Sequence, residues 1–253
     1  MVLRGGRLFF RLDMNRLPIF SRRLFLTLAT GAIADPSVLL AESEGPSLLD
    51  HILLGSPDLQ AGIEFVEQRT GVRATFGGVH PGRGTQNALL SLGERRYLEI
   101  IAPDPAQPGA KNPIASRLHS LAEPRLVGWA AHPGSVTAFA EKLAAAGIKY
   151  EGPTPGSRKR PDGQLLKWQI VSLADTASGL LPFFIEWGQD SVHPSVDAPR
   201  GCTLLSFAAE TPDPEKLAAT LKTLNLDLLV KKGEKPRLHA VISGPKGNLE
   251  VHS

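Results

Sequence analysis

Two repeating patterns of apolar and polar positions alternate along the chain. Short apolar runs such as 50–54 and 126–131 are typical of buried strands. Each run is followed by a segment in which apolar residues recur every three or four positions, as at Leu59, Ile63 and Val66, and this predicts one face of a helix. The alternation of strand and helix patterns predicts an α+β protein.

The same order of elements occurs three times, with strand-like runs opening at 50–54, 126–131 and 203–208. In each unit a strand and a helix precede further strand-like runs, which predicts repeated βαβββ modules. A four-stranded sheet with a helix on one face must pair its other face or line a cavity with it. We therefore expect a mixed, curved sheet around a concave pocket, with helices on the outer face. Units one and two are expected to pair; the alternatives are pairing of unit one with unit three, or a homodimer contact.

A glutamate between apolar residues lies near the end of each unit, at Glu99, Glu186 and Glu250. Side chains alternate along a strand, so Leu98 and Ile100 should pack on the helix while Glu99 faces the concave side. The first strand also carries Asp50-His51. The recurring carboxylate and this histidine predict a metal or acid/base site on the shared sheet.

Several stretches resemble the vicinal oxygen chelate superfamily, in its glyoxalase-like branch. They are Asp50-His51-Ile52, Tyr97-Leu98-Glu99-Ile100, the Gly-rich segment 77–89, the segment 157–163 and Leu181–Trp187. The resemblance covers residues 48–195, while a third module at 200–253 resembles the family only in its pattern.

The resemblance implies metal ligands on the first and fourth strands of paired units. It assigns His51, Glu99 and Glu186 to a divalent metal ion (Zn, Mn, Fe or Ni), with Glu99 and Glu186 also as catalytic bases. The chain departs from the pattern at 127–129, where Val-Gly-Trp offers no usual ligand. A three-ligand site would keep open positions for water or substrate. The alternative for Glu99 and Glu186 is an ion pair with an arginine such as Arg95 or Arg96, or exposure at an edge strand.

Further side chains are candidates for substrate binding. Asn87 follows the Gly-rich turn 80–85, and Arg158 and Arg160 lie in a short cationic run that suits an anionic substrate. His193 follows the second module. The alternatives are a simple hairpin connection at the turn and solvent-exposed loops for the arginines and for His193. Three other residues are interpreted as structural: Trp168, Cys202 and Glu250. For Glu250 the reason is that Ser206 occupies the position in its unit that matches His51.

The first 41 residues are interpreted as a twin-arginine signal peptide and linker. Ser21-Arg22-Arg23-Leu24-Phe25 precedes an apolar stretch, with a small-residue cleavage site after Ala34 or after Ala41. The true start is Met1 or Met14. This reading predicts export to the periplasm by the twin-arginine machinery, without a lipid anchor; the alternative is a disordered basic tail.

The charge distribution removes one class of partner. Residues 1–34 carry six arginines and one aspartate, a net of +5, so the rest of the chain carries 3 − 5 = −2. A mildly acidic body gives no reason to expect nucleic-acid binding. One cysteine excludes an internal disulfide. A membrane-spanning helix is not expected, because the chain has no apolar run of 18 or more residues.

Two functions remain from the sequence. The first is an exported, metal-dependent glyoxalase-like enzyme of the lyase, isomerase or dioxygenase type, acting on a small oxygenated substrate that can carry negative charge. The second is a metal-free protein that binds a small ligand on the same fold. The ligand set His51, Glu99 and Glu186 favours catalysis, whereas the apolar segment 127–129 favours binding.

Overall fold

The computed structural model describes residues 45–108 and 113–253. The predicted twin-arginine segment, both candidate cleavage sites and both candidate start residues lie outside these ranges. Within them, no helix is long and apolar enough to cross a membrane.

The first βαβββ module contains β1 (Leu49–Gly55), α1 (Leu59–Thr70), β2 (Thr75–His80), β3 (Thr85–Ser91) and β4 (Tyr97–Pro103). Helix α1 begins at Asp58, whose carboxylate accepts the Ala61 N–H at 2.8 Å, and it ends at Gly71 in the left-handed conformation. The strand order is β2-β3-β4-β1, and β1 runs parallel to β4. A short helix, α2 (Pro113–His119), follows.

The second module repeats this arrangement with β5 (Arg125–Ala131), α3 (Val136–Ala145), β6 (Tyr150–Lys159), β7 (Leu165–Leu173) and β8 (Phe183–Trp187). Its strand order is β5-β8-β7-β6, with β5 parallel to β8. The antiparallel pair β1–β5 joins both modules into one eight-stranded sheet. The expected pairing of units one and two is therefore confirmed.

The eight-stranded sheet curves until its two edge strands meet. At this contact Arg158 of β6 donates a hydrogen bond to the Gly77 carbonyl of β2. The result is the half-barrel around a concave pocket that the repeat predicts. Leu98 and Ile100 are fully buried in the main core, on the face opposite Glu99, as the alternation along β4 requires.

The C-terminal segment has the predicted order of elements but a different strand order. After α4 (Pro194–Asp197) come β9 (Thr203–Thr211), α5 (Pro214–Thr223), β10 (Leu229–Lys232), β11 (Arg237–Gly244) and β12 (Gly247–His252). They form a separate sheet of order β10-β9-β11-β12, in which β9 and β10 are parallel neighbours. Strand β12 lies at an edge and does not pair with β9, so Glu250 is not in the position that Glu99 occupies beside β1.

The second sheet covers the helical side of the first. Helix α1 contacts β4 on one side and β11 and β12 on the other. One continuous core joins the two sheets through the helices, and it includes Ile63, Val66, Leu221, Ile242 and Leu249. Burying each such side chain contributes roughly 1.5–3 kcal/mol. The C-terminal module thereby covers helix α1 of the half-barrel on the side away from the concave face.

Candidate active site

A cavity of about 250 Å³ lies on the concave face where the two modules meet. Strands of both modules contribute to it. Its walls are largely apolar and aromatic, and they surround a small group of polar side chains. The lining comprises His51, Leu53, His80, Arg83, Thr85, Asn87, Tyr97, Glu99, Ile101, Ile114, Arg158, Trp168, Ile170, Ser172, Phe183, Ile185 and Trp187. A mostly apolar pocket with a few convergent polar groups is the usual form of a small-molecule site.

His51 connects two carboxylates. Its Nδ1 lies 2.7 Å from Oδ1 of Asp50, and its Nε2 lies 3.4 Å from Oε2 of Glu99. The register of β1 and β4 places His51 opposite Tyr97, whose ring stacks on the imidazole at 4.5 Å. With Nδ1 bound to an ionised carboxylate, the Nδ1–H tautomer is favoured and the Nε2 lone pair faces the cavity.

His80 approaches the same glutamate from β2. Its Nδ1 lies 2.9 Å from the Thr85 hydroxyl, and its Nε2 lies 3.8 Å from Oε1 of Glu99. Asn87 on β3 donates from Nδ2 to the same Oε1 at 2.8 Å. Two imidazoles, each with its Nδ1 occupied, therefore direct Nε2 toward different oxygens of one carboxylate.

Burial sets the charge state of several of these groups. Burial lowers the pKa of His80 and outweighs the opposing effect of Glu99, so its imidazole is neutral near pH 7. Burial alone would raise the pKa of Asp50, but hydrogen bonds from His193 and His51 hold that pKa far below its usual 3.8. Burial and the nearby carboxylates raise the pKa of Tyr97 well above 10, so its hydroxyl stays protonated.

Asp50 lies behind the cavity wall and accepts from three side chains. Besides His51, its Oδ2 lies 3.2 Å from Nε2 of His193 and accepts the Trp187 indole N–H at 3.1 Å. His193 is itself held at 2.8 Å by the Ser195 hydroxyl. We predicted His193 as a substrate-binding residue; the structure instead places it behind Tyr97 and outside the cavity lining.

The two arginines predicted to bind substrate are separated. Arg158 lines the cavity and is only 3% exposed, and burial lowers the pKa of its guanidinium below its usual value. An arginine keeps its charge even when its pKa is lowered. Arg160, two residues away on the chain, points elsewhere and pairs with Asp162 and Asp197. Of these two arginines, only Arg158 can therefore reach a ligand in this cavity.

The prediction that Glu186 faces the concave side is corrected by the structure. Oε2 of Glu186 accepts the Val136 N–H at 2.8 Å, at the start of helix α3 on the outer side of the sheet. On β8 the neighbouring residues Ile185 and Trp187 line the cavity instead. Glu186 therefore satisfies a free N–H of a helix terminus, where a negative charge is also favourable.

Two residues were missed or misassigned. His80 was treated only as part of a turn, although its position before Thr85 in a β2–β3 hairpin brings it beside Glu99. Trp168 was interpreted as core, but it lines the cavity together with its cross-strand partner Trp187. Segment 127–129 adds no ligand, as predicted, since Val127 packs with Leu53 and its neighbours in an apolar cluster.

The resemblance stated above implies a metal ion, and the donor chemistry can be tested against it. The set His51, Glu99 and Glu186 does not fit, because Glu186 faces away. The donor types of His51, His80 and Glu99 suit such an ion, since two imidazoles and a carboxylate bind Zn, Mn, Fe or Ni, but their ligand atoms do not all lie within 4.8 Å of one another, so the side chains would have to close on the ion. The 3.4 Å between His51 Nε2 and Glu99 Oε2 is long for a hydrogen bond but close to the roughly 3.4 Å between two ligand atoms on one zinc.

One comparison with a solved structure agrees with this fold. A hypothetical protein from Staphylococcus aureus has a similar structure, with a TM-score of 0.55, 14% identity and coverage of 81% of this chain and 84% of that chain. Methylmalonyl-CoA epimerase from Mycobacterium tuberculosis gives a TM-score of 0.40 at 19% identity, covering 58% of this chain and 91% of the other. The Streptomyces coelicolor epimerase (Q60A) in complex with 2-nitronate-propionyl-CoA gives 0.41 at 17% identity, covering 56% and 97%.

Comparison with curated proteins gives no significant match. The sequence profile of a family described as a glyoxalase-like domain matches residues 49–225, which includes both modules of the half-barrel and extends through helix α5. More than half of the chain is therefore matched, and the chain belongs to the glyoxalase-like domain family.

Proposed function

We propose that this protein is a metal-dependent enzyme that moves a proton at the carbon next to a carbonyl group in a small, anionic, oxygenated substrate. The observation that carries the proposal is the placement of Glu99 between the Nε2 atoms of two imidazoles in an otherwise apolar cavity. A buried carboxylate in such surroundings is costly without partners, and Glu99 has the Asn87 amide and the two imidazoles beside it. Titratable groups gathered in a cleft are typical of catalytic sites.

His51, His80 and Glu99 would hold the metal. When bound, the ion would supply Lewis-acid polarisation of a substrate carbonyl oxygen, which would acidify the neighbouring C–H bond. Glu99 has two carboxylate oxygens, so one can coordinate while the other accepts the proton as a general base. Asp50 keeps His51 in one tautomer and one orientation, and it remains ionised throughout.

Arg158 supplies the charge complementarity for the substrate. Its guanidinium lines the cavity, is almost fully buried, and forms a hydrogen bond with Gly77 O that anchors it to β2. A planar guanidinium binds a carboxylate through two parallel hydrogen bonds. A substrate carboxylate at Arg158 would direct the adjacent carbonyl and the C–H group beyond it toward Glu99, with Trp168 and Phe183 beside the carbon chain.

Asn87 offers a further contact. Its Nδ2 is used by Glu99, whereas its Oδ1 is buried without a hydrogen-bond partner among the residues that the structure describes. Unpaired buried acceptors cost about 1–3 kcal/mol. A hydroxyl of a bound substrate would satisfy this oxygen only if the Asn87 amide turned toward the cavity, because Oδ1 lies against Gly77.

The experiment uses the full chain loaded separately with Zn²⁺, Mn²⁺, Fe²⁺ or Ni²⁺ and 2-oxobutyrate as the probe in D₂O. Proton NMR follows the exchange of the hydrogens next to the carbonyl. We expect exchange with at least one ion, a loss of at least about 100-fold in E99Q, and an unchanged rate in E186Q. Wild-type exchange no faster than buffer with every ion, or equal rates in E99Q and wild type, would contradict the proposal.

A second candidate is a metal-free binding protein for a small anion. The observation that favours it is the apolar cluster of Val127, Leu53 and Ile101, which stands where a complete ligand set would need another donor. Calorimetry with 2-oxobutyrate on the metal-stripped protein separates the two. Binding that needs Arg158 but is unaffected by metal and by H51A supports the binding protein over the enzyme.

We also propose export by the twin-arginine route. The support is the order of paired arginines, apolar stretch and small-residue exit in residues 21–41. A fusion of residues 1–41 to a reporter that is active only after export tests this. Export of the fusion that is lost when Arg22 and Arg23 are both replaced by lysine supports the proposal; a reporter retained in the cytoplasm contradicts it.

A further inference from the structure

A second group of candidate metal ligands lies on the C-terminal sheet, away from the cavity. His239 is on β11, and Glu250 and His252 are on β12. Oε1 of Glu250 lies 2.9 Å from Nε2 of His239 and 3.6 Å from Nε2 of His252. One ligand atom from each of the three residues lies within 4.8 Å of the other two.

The sheet geometry holds these side chains on one face. His239 and His252 are direct cross-strand partners, and their rings stack at 4.6 Å with an angle of 11° between the planes. Glu250 precedes His252 by two residues, so it shares the same face. Leu249 and Val251 point the other way into the core, which fixes the register of β12. The cluster is therefore presented by a rigid strand pair.

The cluster is accessible to a metal ion from solution. The side chains of His239, Glu250 and His252 are 22%, 62% and 45% exposed.

A plain cross-strand hydrogen bond explains only part of the arrangement. The 2.9 Å contact accounts for His239 and Glu250. The 3.6 Å separation at His252 is too long for a hydrogen bond, yet both histidines direct Nε2 at the same oxygen. Two imidazoles and a carboxylate that converge with such spacings are the donor set of zinc, nickel and copper sites.

We propose that His239, Glu250 and His252 form a surface site for a divalent transition metal of the zinc class. Three protein ligands leave one tetrahedral position for water or for a donor from another molecule. The ion would join β12, the edge strand at the end of the chain, to β11. Because an ion that binds only the folded protein stabilises it, occupancy should raise the melting temperature.

The test titrates Zn²⁺ into full-length protein after removal of metals by EDTA, in an H51A/E99Q background so that the cavity does not contribute. Calorimetry should show about one equivalent of Zn²⁺. The variants H239N, H252N and E250Q should each weaken binding by at least about tenfold, since each removes a ligand. The matched control H119N replaces an exposed histidine on α2 and should leave the affinity unchanged.

Imidazole NMR signals provide a second readout that does not depend on enzyme activity. Signals of His239 and His252 should shift or broaden with Zn²⁺, while that of His119 should not. Absence of Zn²⁺ binding in the H51A/E99Q background overturns the proposal. So does an affinity that H239N, H252N and E250Q leave unchanged, or one that H119N lowers as much. None of these outcomes bears on the metal site proposed in the cavity, because the background variants remove two of its ligands.

Discussion

The imidazole of His51 lies with Nδ1 2.7 Å from the Asp50 carboxylate and with Nε2 directed at Glu99. The two adjacent residues of β1 therefore differ in role: Asp50 accepts hydrogen bonds behind the cavity wall, and His51 lines the cavity. Because Asp50 also accepts from His193 and Trp187, its carboxylate is fixed by three contacts. The orientation of His51 therefore depends on a residue that does not touch the ligand space.

Replacing Asp50 with asparagine should destabilise the protein by about 3 kcal/mol near pH 7, because it breaks a buried charge-assisted network. The folded pKa of Asp50 is far below its unfolded value of 3.8. Its stabilising contribution is therefore complete above the unfolded pKa and is lost as the pH falls through the folded pKa. The difference in unfolding free energy between wild type and D50N should shrink below about pH 4.

Urea denaturation at a series of pH values measures this difference. H193N serves as the intermediate case, since it removes one of the hydrogen bonds that lower the pKa of Asp50. It should show a smaller loss of stability than D50N with the same pH trend. A difference between wild type and D50N that stays constant down to the lowest accessible pH would contradict the assignment.

Arg158 and Arg160 provide a matched pair for testing ligand charge. R158M removes the buried guanidinium and should weaken 2-oxobutyrate binding by about 10- to 100-fold, the value of hydrogen bonds to a charged group. R158K keeps the charge but loses the planar fork, so its loss should be smaller. Calorimetry with 2-oxobutyrate measures both.

R160Q is the control for this pair. Arg160 is bound to Asp162 and Asp197 outside the cavity, and such surface pairs contribute about 0–1 kcal/mol to stability. Its ligand affinity should match that of wild type. Equal losses in R160Q and R158M, or full affinity in R158M, would show that Arg158 is not the anion-binding group.

Gly77 controls the space beside Asn87. A Cβ atom at Gly77 would lie 2.5 Å from Asn87 Oδ1 and 2.9 Å from the Leu89 side chain. G77A should therefore displace the Asn87 amide, break its hydrogen bond to Glu99 and cost about 1–3 kcal/mol in unfolding free energy. It should also weaken 2-oxobutyrate binding, because Asn87 lines the cavity.

G128A is the control for this substitution. No atom lies within 4 Å of a Cβ built at Gly128, so alanine fits there without displacement. Its free energy of unfolding, measured in urea, should stay within about 1 kcal/mol of that of wild type. A G77A protein as stable as G128A, with unaltered ligand affinity, would show that Asn87 is not held by this packing.

The sequence predicted the half-barrel well because its repeats are strong local signals. The alternation around Leu98, Glu99 and Ile100 assigned the faces of β4 correctly, since its core face is apolar and its other face carries a charge. The strand order of the C-terminal module could not be predicted. Its helix α5 connects two parallel neighbours, β9 and β10, whereas the parallel pair of the first module is β1 and β4, so the repeat does not specify this order.

The side of the sheet that Glu186 faces could not be predicted from the sequence of β8 alone. Phe183, Phe184 and Ile185 are all apolar, so no alternation of polar and apolar residues distinguishes the two faces of the strand. Its register with β7 decides: Trp168 pairs with Trp187 in the cavity wall, and Gln169 pairs with Glu186 on the adjacent position. The His193–Asp50 contact joins residues 143 apart in sequence, a distance at which no local pattern carries information.

The most direct test of the cavity as the active site compares E99Q with E186Q. Both substitutions remove one charge from a glutamate in the same sequence pattern, but only Glu99 lines the cavity, whereas Glu186 binds the N–H of Val136. E186Q should cost about 0.5–2 kcal/mol in stability, as the loss of a helix-terminus contact does. It should leave the function of the cavity intact.

The measurement is the metal-dependent exchange of 2-oxobutyrate hydrogens in D₂O, with unfolding in urea recorded for each variant. The account predicts that E99Q loses exchange by at least about 100-fold while it stays folded, and that E186Q exchanges at the wild-type rate. Loss of exchange in E186Q with retention in E99Q would contradict the account and return the active site to the opposite face of the sheet.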